Sequence, residues 1–302
     1  MFYGSIVAVE IKGGLGNQLF EYCTARSLAD RLQCELVLDC SEARDRPIEL
    51  SRFLVRAQFV HSRTEVRKTW LKLPGTIGRK ISKGVQLFLP TFISIEGRRF
   101  YMWKERPSRE FDHGLMRQKG NVYLSGYWQS YRYFENDIEV VRADLQLKAP
   151  CRKVNEDWRM RIKQAAQSVC VHVRRGDYLI RQDEFGLCSA SYYRKAMALL
   201  KRQFGSPEFF VFSDDLNWCR VNFTAGKMNF VDANGPESAV EELELMRSCT
   251  HHIIANSTMS WWAAWLSQSQ GQIVIAPYPW FLSGGPPEDD LLLKHWIRLD
   301  PR

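Results

Sequence analysis

Residues 5–39 read SIVAVEIKGGLGNQLFEYCTARSLADRLQCELVLD, and this stretch decides the fold class of the chain. The β-branched apolar run at residues 5–10 predicts a strand, and residues 12–17 form a glycine-rich turn. Apolar residues recur at helical spacing over residues 18–32, and Glu35–Asp39 predicts the next strand. The order strand, glycine loop, helix and strand is typical of the start of a doubly wound α/β unit.

The second half of the chain continues this alternation more regularly. Strands are predicted at residues 121–127, 168–173, 209–213, 228–231, 251–255 and 272–276, the last being the final strand. Helices are predicted at residues 131–147, 190–204 and 238–249. Two more are predicted, one directly after Asp214-Asp215 and one in a Trp-rich run that ends near residue 266. Residues 41–115 predict no firm element. Such alternation predicts parallel strands, whose ligands bind beyond the carboxyl ends.

Length and composition are those of a globular protein of about two domains. The chain has 302 residues, of which 45% are hydrophobic and 25% charged, and these values exclude a collagen, a coiled coil or a disordered chain. The best linker candidate is Lys148-Ala149-Pro150, because a helix is predicted to end there before the pattern restarts.

The charge of the chain suits an anionic partner. The 42 Lys and Arg residues exceed the 34 Asp and Glu residues by eight. Nucleic acid, an acidic membrane surface and a phosphorylated small molecule all fit that excess. Residues 41–120 hold eighteen basic and eight acidic residues, a local net charge of +10. Two interpretations stay open for this stretch: an ordinary solvated surface, or a patch that faces an anionic membrane.

The cysteines and the hydropathy pattern indicate a cytoplasmic protein. None of the eight cysteines has Cys-x-x-Cys spacing, and several lie in apolar runs, so we expect reduced thiols. The start of the chain lacks a basic leader, and no stretch reaches the roughly 18 apolar residues that span a bilayer. We therefore expect a soluble or peripheral protein.

The first polar motif is the glycine loop Gly13-Gly14-Leu15-Gly16-Asn17-Gln18. A glycine loop before a helix suggests phosphate binding, but the dinucleotide fingerprint requires a Gly-x-Gly-x-x-Gly/Ala spacing, and Leu19 stands at its last position. A nicotinamide or flavin enzyme is therefore disfavoured. A tight turn explains the glycines, whereas the two amides at a cleft edge indicate hydrogen bonding to another group.

The second motif, HVRRGDY at residues 172–178, follows a predicted strand. His172 and Arg174 alternate and so share one face of the strand end. The planar guanidinium suits phosphate oxygens. We expect one arginine to hold a diphosphate and the other to pair with Asp177 in the loop; a surface Arg–Asp pair is the alternative.

Two further motifs follow later strands. Ser213-Asp214-Asp215 is typical of a helix N-cap with acidic first-turn residues, and it could also accept hydrogen bonds from a ribose or a base. It lacks Asp-x-Asp spacing, so we expect no metal site. The run NSTMSWW at residues 256–262 places hydroxyl groups at a helix start, which favours an anion. Its two tryptophans fit a hydrophobic core better than a ligand platform.

Together these motifs resemble the bacterial α-1,2-fucosyltransferase family. The resemblance is carried by GGLGNQLF, GYWQSYRYF at 126–134, HVRRGDY, VFSDD at 211–215 and ANSTMSWWAAWL at 255–266. It runs from about residue 6 to residue 279. Met259 and Ala263 replace the usual Phe and Gly, and Glu242 stands where the family often has Asp.

The resemblance implies an inverting, GDP-L-fucose-dependent glycosyltransferase of the GT-B type, in which two Rossmann-like domains face a cleft. Residues 1–149 would form the acceptor-side domain and residues 150–302 the GDP-fucose-binding domain. The last helix of the chain would pack back on the N-terminal domain. The acceptor would be the 2-hydroxyl of a terminal β-galactoside. A related enzyme using another sugar nucleotide or acceptor stays the alternative.

The same resemblance implies roles for individual residues. Arg174 would grip the donor β-phosphate, and Asn17 would reach the reaction centre from the opposite domain. The implied donor-binding set is His172, Arg174, Arg175, Ser213, Asp214, Asp215, Glu242, Asn256, Ser257, Thr258 and Ser260. The implied acceptor or cleft set is Gly14, Gly16, Asn17, Gln18, Tyr127, Trp128 and Gln129.

The chemistry of the residues agrees with this assignment. A departing diphosphate is stabilised by arginine, hydroxyl groups and a helix start, so we expect no metal and no cofactor. Asp177 is our candidate for the base; otherwise another cleft carboxylate serves, or a dissociative transition state needs none. The rival class is a nucleic-acid binder, but the basic stretch shows no recognisable module.

Overall fold

The computed structural model describes residues 4–43, 46–62, 66–69, 92–180, 186–282 and 287–302. Within these residues the strands form two separate sheets, one built before residue 126 and the other after residue 167. The architecture is therefore α/β with two Rossmann-like halves, as the alternation of strands and helices predicts.

The first sheet has the strand order β3-β2-β1-β7-β6-β5-β4. Its strands are β1 (Ile6–Glu10), β2 (Glu35–Asp39), β3 (Gln58–Val60), β4 (Val66–Thr69), β5 (Phe92–Ile95), β6 (Arg98–Lys104) and β7 (Val122–Ser125). The first five in this order run parallel, whereas β5 and β4 add an antiparallel edge. β1 is buried along its whole length near the centre, which explains its continuous apolar sequence.

The second sheet is parallel throughout its described strands, in the order β10-β9-β8-β11-β12-β13. Its strands are β8 (Ser168–Val173), β9 (Glu208–Ser213), β10 (Lys227–Phe230), β11 (His251–Ile253), β12 (Val274–Pro277) and β13 (Ile297–Leu299). The helices of the chain are α1 (Leu15–Leu32), α2 (Ile138–Asp144), α3 (Lys153–Gln164), α4 (Ala190–Phe204), α5 (Leu216–Asn222), α6 (Ala239–Arg247), α7 (Thr258–Leu266) and α8 (Glu288–Leu291).

Three predictions about the elements were wrong. Strands β3 to β6 lie wholly or partly within residues 41–115, where we predicted no firm element, and β13 follows the strand that we predicted to be the last. The single helix predicted at residues 131–147 is a 3-10 turn, Tyr131–Tyr133, followed by the short α2. Between the two pieces the chain turns at Phe134, whose ring is fully buried against Trp262 at 5.4 Å between ring centroids.

The two halves share one aromatic core, and this core positions the cleft. Phe20 of α1 packs against Trp261 and Trp262 of α7, with ring centroids 4.6 and 5.0 Å apart. All three side chains are fully buried, which confirms the prediction that the tryptophans belong to a core. Burying a side chain of this size contributes about 2–3 kcal/mol, so the halves are held in a defined relation.

The segment near the C-terminus also contacts the first half of the chain. The carboxylate of Asp290 in α8 accepts hydrogen bonds from the guanidinium of Arg132 (2.6 Å) and from the backbone N–H of Phe111 (2.8 Å). Ser130 donates its hydroxyl hydrogen to the backbone carbonyl of Asp290. The predicted boundary at residues 149–150 falls between α2 and α3 and stays a prediction.

All eight cysteines are free thiols, and six of them are buried. No helix among the residues that the structure describes is both long and apolar enough to cross a membrane.

Candidate active site

The glycine loop of the first half meets the start of α7 in the second half. A Cβ atom added to Gly16 would lie 2.5 Å from the Thr258 hydroxyl oxygen and 2.6 Å from the Met259 backbone nitrogen. The Gly16 carbonyl also accepts a hydrogen bond from the Trp262 indole at 2.9 Å. Glycine is therefore needed here for the close approach of two helix starts. Helix starts favour negative charge, so this junction suits an anion.

A hydrogen-bond chain crosses this junction through Asn17. Its side-chain oxygen accepts one hydrogen bond from the Gln129 amide at 2.9 Å and another from the Thr258 hydroxyl at 3.2 Å. With its oxygen so occupied, Asn17 has its amide N–H groups left to donate elsewhere. Gln129, Asn17 and Thr258, predicted on three separate motifs, thus lie together.

Arg174 is held by two carboxylates at the carboxyl end of β8. Its Nη2 lies 2.7 Å from Asp177 Oδ1, and its Nη1 lies 3.0 Å from Asp214 Oδ2. The carboxylate of Asp214 also accepts the backbone N–H groups of Arg175 (2.8 Å) and Gly176 (3.1 Å). Asp214 therefore shapes the arginine loop from the neighbouring strand β9.

Arg175 has a different environment. Its Nε lies 3.2 Å from Asp215 Oδ2, and its guanidinium lies 4.3 Å above the Trp218 ring. Asp215 in turn caps α5 by accepting the Trp218 N–H, while the Ser213 hydroxyl oxygen accepts the Asp215 N–H. We expected one arginine for the diphosphate and the other for Asp177. The structure instead pairs Asp177 with Arg174 itself, and Arg175 supports the loop.

His172 and Glu242 add two titratable groups beside Arg174. His172 is buried, and burial together with the positive charge of Arg174 lowers its pKa to about 3, so its ring is neutral. Its Nδ1 has no hydrogen-bond partner within the described part of the chain. Burial and the nearby charge of Asp214 raise the pKa of Glu242 to about 7, against the opposing effect of Arg174.

The fourth motif supplies the start of α7 and its supporting loop. The Asn256 side chain donates to the carbonyls of Gly186 and Trp280, both at 3.3 Å, and the Asn256 carbonyl accepts the Tyr178 hydroxyl hydrogen at 3.0 Å. Ser257 is the N-cap of α7 without a side-chain cap bond, so its hydroxyl is not committed to the helix. This loop is thereby fixed to the arginine loop.

Three of the predicted site residues have fully buried side chains. Ser260 is one of them, and its hydroxyl bonds to the carbonyls of Ala255 and Ser257. Trp128 is also buried, packing edge-to-face on Tyr133. Gln18 is buried as well, and both ends of its amide are used by backbone groups. In this structure these side chains are committed to the core or to the backbone, and their assignment to the donor or acceptor site stays a prediction.

The remaining predicted cleft residues lie at the edge of the first sheet. Gly14 is exposed and is the N-cap of α1. Tyr127 is half-buried, and the Lys12 ammonium lies 5.1 Å from its ring. Glu105, which our motif analysis did not identify, accepts the backbone N–H groups of Tyr127 and Trp128, both at 2.8 Å. Burial raises the pKa of Glu105. It follows β6, in the stretch where the sequence predicted no element.

The residues that the structure describes contain no group of three or more His, Cys, Asp or Glu side chains that could hold a metal ion. The arginine loop, the neutral histidine and the start of α7 are groups whose chemistry suits an anion at this edge of the second sheet.

Two Rossmann-like halves meet here, with arginines on one side and amides on the other. Residues 84–300 match the family described as glycosyl transferase family 11. The chain belongs to this family, which confirms the resemblance drawn from the motifs.

Relatives that are similar in sequence support the same assignment. An α-1,2-colitosyltransferase from Escherichia coli is 30% identical, over 98% of this chain and 99% of its own length. The O-antigen biosynthesis glycosyltransferase WbnK of the same organism is also 30% identical, over 96% and 99%. A galactoside 2-α-L-fucosyltransferase, Sec1 of Mus musculus, is 26% identical over 86% of this chain and 64% of its own length. Among solved structures, the fucosyltransferase NodZ from Bradyrhizobium has a TM-score of 0.49 and 15% identity, covering 86% of this chain and 92% of that one.

Proposed function

We propose that this glycosyltransferase moves L-fucose from GDP-L-fucose to the 2-hydroxyl of a terminal β-galactoside, with inversion at the fucosyl carbon. The observation that carries the proposal is the two-armed contact of Arg174 with Asp177 and Asp214 at the end of β8. Both contacts involve partly exposed side chains, so a diphosphate of higher charge can replace the carboxylates.

The donor would bind along the edge of the second sheet. Arg174 would hold the phosphate oxygens, supported by Ser257, Thr258 and the start of α7. Glu242 and the neutral His172 stand beside Arg174 and would meet the nucleoside. An ionised Glu242 would accept hydrogen bonds from the N–H groups of a guanine, which suits a guanosine nucleotide. Contacts of Asp214 and Asp215 with the nucleoside stay a proposal, because both hold arginines in the structure.

The transfer breaks the bond between the fucosyl carbon and the diphosphate and forms a bond from the acceptor oxygen on the opposite face. The electron pair of the breaking bond goes to the diphosphate, where Arg174 offsets the new negative charge. Such a transition state has oxocarbenium character, so stabilising the leaving group carries much of the rate. Asn17 would donate its amide hydrogens near this centre from the first half.

The acceptor hydroxyl must also lose its proton, and we assign that proton to Asp177. When a diphosphate takes Arg174, the Asp177 carboxylate loses its 2.7 Å partner and becomes available to the acceptor. Donor binding would thus prepare the base. The alternatives are another cleft carboxylate or a dissociative step that needs no base. The variant Asp177→Asn distinguishes Asp177 from both alternatives. With this variant, a fall in kcat of less than threefold would remove Asp177 from the reaction.

One specific comparison suggests a second candidate donor. The relative that is 30% identical over 98% of this chain is named an α-1,2-colitosyltransferase. Colitose lacks the 3-hydroxyl of fucose, so the two sugars differ by one polar group in the donor pocket. A site that hydrogen-bonds that hydroxyl discriminates strongly between them.

A panel of donors and acceptors, with linkage analysis of the product, tests the proposal. We expect GDP-L-fucose and a β-galactoside to give an α-1,2 product, and excess EDTA to leave the rate unchanged because arginine and hydroxyl groups neutralise the diphosphate. Product from the colitosyl donor alone would assign the second candidate. Activity that EDTA abolishes and manganese restores would show that a metal takes part.

The reaction would take place in the cytoplasm, with peripheral contact between the basic stretch at residues 41–120 and an anionic membrane surface. Its net charge of +10 supports such contact.

A further inference from the structure

We propose that Arg46, a residue of the first half, is a second arginine of the donor site and contacts the terminal phosphate of a bound nucleoside diphosphate across the cleft. The inference rests on the proposed function, which gives Arg174 to the same diphosphate. No motif in the sequence points to Arg46, because it lies in a loop between β2 and β3.

The loop that carries Arg46 is anchored by the buried amide of Gln18. The Gln18 Nε2 donates to the carbonyl of Pro47 at 2.8 Å and to that of Gly13 at 3.0 Å. The Gln18 Oε1 accepts the backbone N–H of Glu49 at 3.0 Å. One fully buried side chain therefore ties residues 47–49 to the glycine loop. This explains why a glutamine follows Asn17: it positions the loop that bears Arg46.

From this loop Arg46 reaches the arginine site of the second half. Its Nη2 lies 3.9 Å from Asp177 Oδ2, while Asp177 Oδ1 pairs with Arg174 at 2.7 Å. One carboxylate thus stands between two guanidinium groups from opposite sides of the cleft. The arrangement marks a position where an anion interacts with both halves at once.

The Arg46–Asp177 contact is suited to exchange. The side chains of Arg46 and Asp177 are 55% and 49% exposed, and ion pairs with such exposure contribute little to stability. A nucleoside diphosphate carries more negative charge than a carboxylate and offers several oxygens, so it competes well for both arginines. We infer that the diphosphate replaces Asp177 between them, which leaves the Asp177 carboxylate free to face the acceptor.

This placement gives Arg46 a task that Arg174 alone does not perform. Arg174 belongs to the donor-side half, whereas Arg46 belongs to the acceptor-side half. A contact from Arg46 to the outermost phosphate therefore couples donor binding to the contact between the two halves. It also adds positive charge where the leaving group becomes more negative.

Calorimetric titration of the full chain with GDP and with GMP tests the inference, using Arg46→Ala. GMP lacks the outer phosphate, so it measures the rest of the site. We expect the variant to bind GDP about tenfold more weakly than wild type, since a charge-assisted contact is lost. Its affinity for GMP should stay within twofold of wild type.

Arg98→Ala is the matched control. Arg98 belongs to the same half, is 50% exposed and pairs with Glu35 at 3.9 Å, so the variant removes the same charge from an equivalent ion pair. It should bind GDP as wild type does. Equal GDP affinity for wild type and Arg46→Ala, equal losses for GDP and GMP, or a tenfold loss in Arg98→Ala would overturn the role of Arg46. A wild-type protein that does not bind GDP would instead refute the proposed function and, with it, this inference.

Discussion

Replacing Arg174 with lysine tests the donor site at its most constrained side chain. In the structure the two terminal nitrogens of Arg174 contact two different carboxylates, Asp177 at 2.7 Å and Asp214 at 3.0 Å. The planar guanidinium therefore serves two partners at fixed angles. Lysine keeps the charge but concentrates it on one ammonium group, which cannot hold two phosphate oxygens in that geometry.

The expected loss is large. Removing one donor that stabilises a developing negative charge costs about 3 kcal/mol in activation free energy, which corresponds to roughly a hundredfold or more in kcat. The Arg174 side chain is 30% exposed, so solvent weakens this contact only in part. Since the charge develops on the leaving diphosphate, kcat should fall more than the affinity for the donor.

Initial rates at saturating donor and acceptor measure the effect. Arg98→Lys on the first half serves as the control, because it makes the same exchange at an ion pair away from the cleft. Melting temperatures of both variants establish that they fold. A folded Arg174→Lys variant that turns over within threefold of wild type would refute the assignment of Arg174 to the diphosphate.

Three further predictions concern pH, packing and membranes. Because the pKa of Glu242 is raised to about 7, its carboxylate is ionised above that pH, and GDP affinity should fall about tenfold between pH 8 and pH 6; Glu242→Gln should leave only the part of this dependence that comes from the terminal phosphate of GDP, and an unchanged pH profile in the variant would remove Glu242 from the nucleotide site. Gly16→Ala places a Cβ 2.6 Å from a backbone nitrogen of α7, so we expect a loss of about 1–3 kcal/mol in the free energy of unfolding, measured in urea, and Gly4→Ala, which meets open space before β1, should be near neutral. The basic stretch should bring the protein to anionic but not to neutral vesicles in co-sedimentation, and binding should fall as salt rises; equal binding to both vesicle types, or none at low salt, would reduce the stretch to a solvated surface.

Much of the fold was predictable because the informative signals are local. Strands β1, β2 and β8 and helix α4 follow from apolar periodicity and β-branched runs, and Glu35–Asp39, Ser168–Val173 and Ala190–Phe204 have the predicted bounds. Strand β4 was not predictable, because its sequence VRKT shows no apolar alternation. Strand β5 alternates, with Ile93 and Ile95 buried, but it is only four residues long, so its periodic signal is short.

The candidate site was predictable in part. Arg174, Asp177 and Asp214 follow strand ends, and the rule that parallel sheets bind ligands there brought them together. The burial of Ser260 and Trp128 was not predictable, because a motif marks which residues occur together and not which of them faces solvent. The pairing of Asp177 with Arg174 also depends on how the loop folds after β8, which spacing alone does not specify.

By itself the sequence determined the alternation of strands and helices, the position of the polar motifs at strand ends and membership in the family. These properties depend on residues close in the chain, whose chemistry acts through local backbone geometry. Only the tertiary structure decided that Asn17 meets Thr258, 241 positions away, and that Gln129 meets Asn17 across 112 positions. It also decided that Gln18 holds the loop of Arg46. Such contacts arise from the packing of α1 against α7, and packing between distant elements leaves no periodic mark in the sequence.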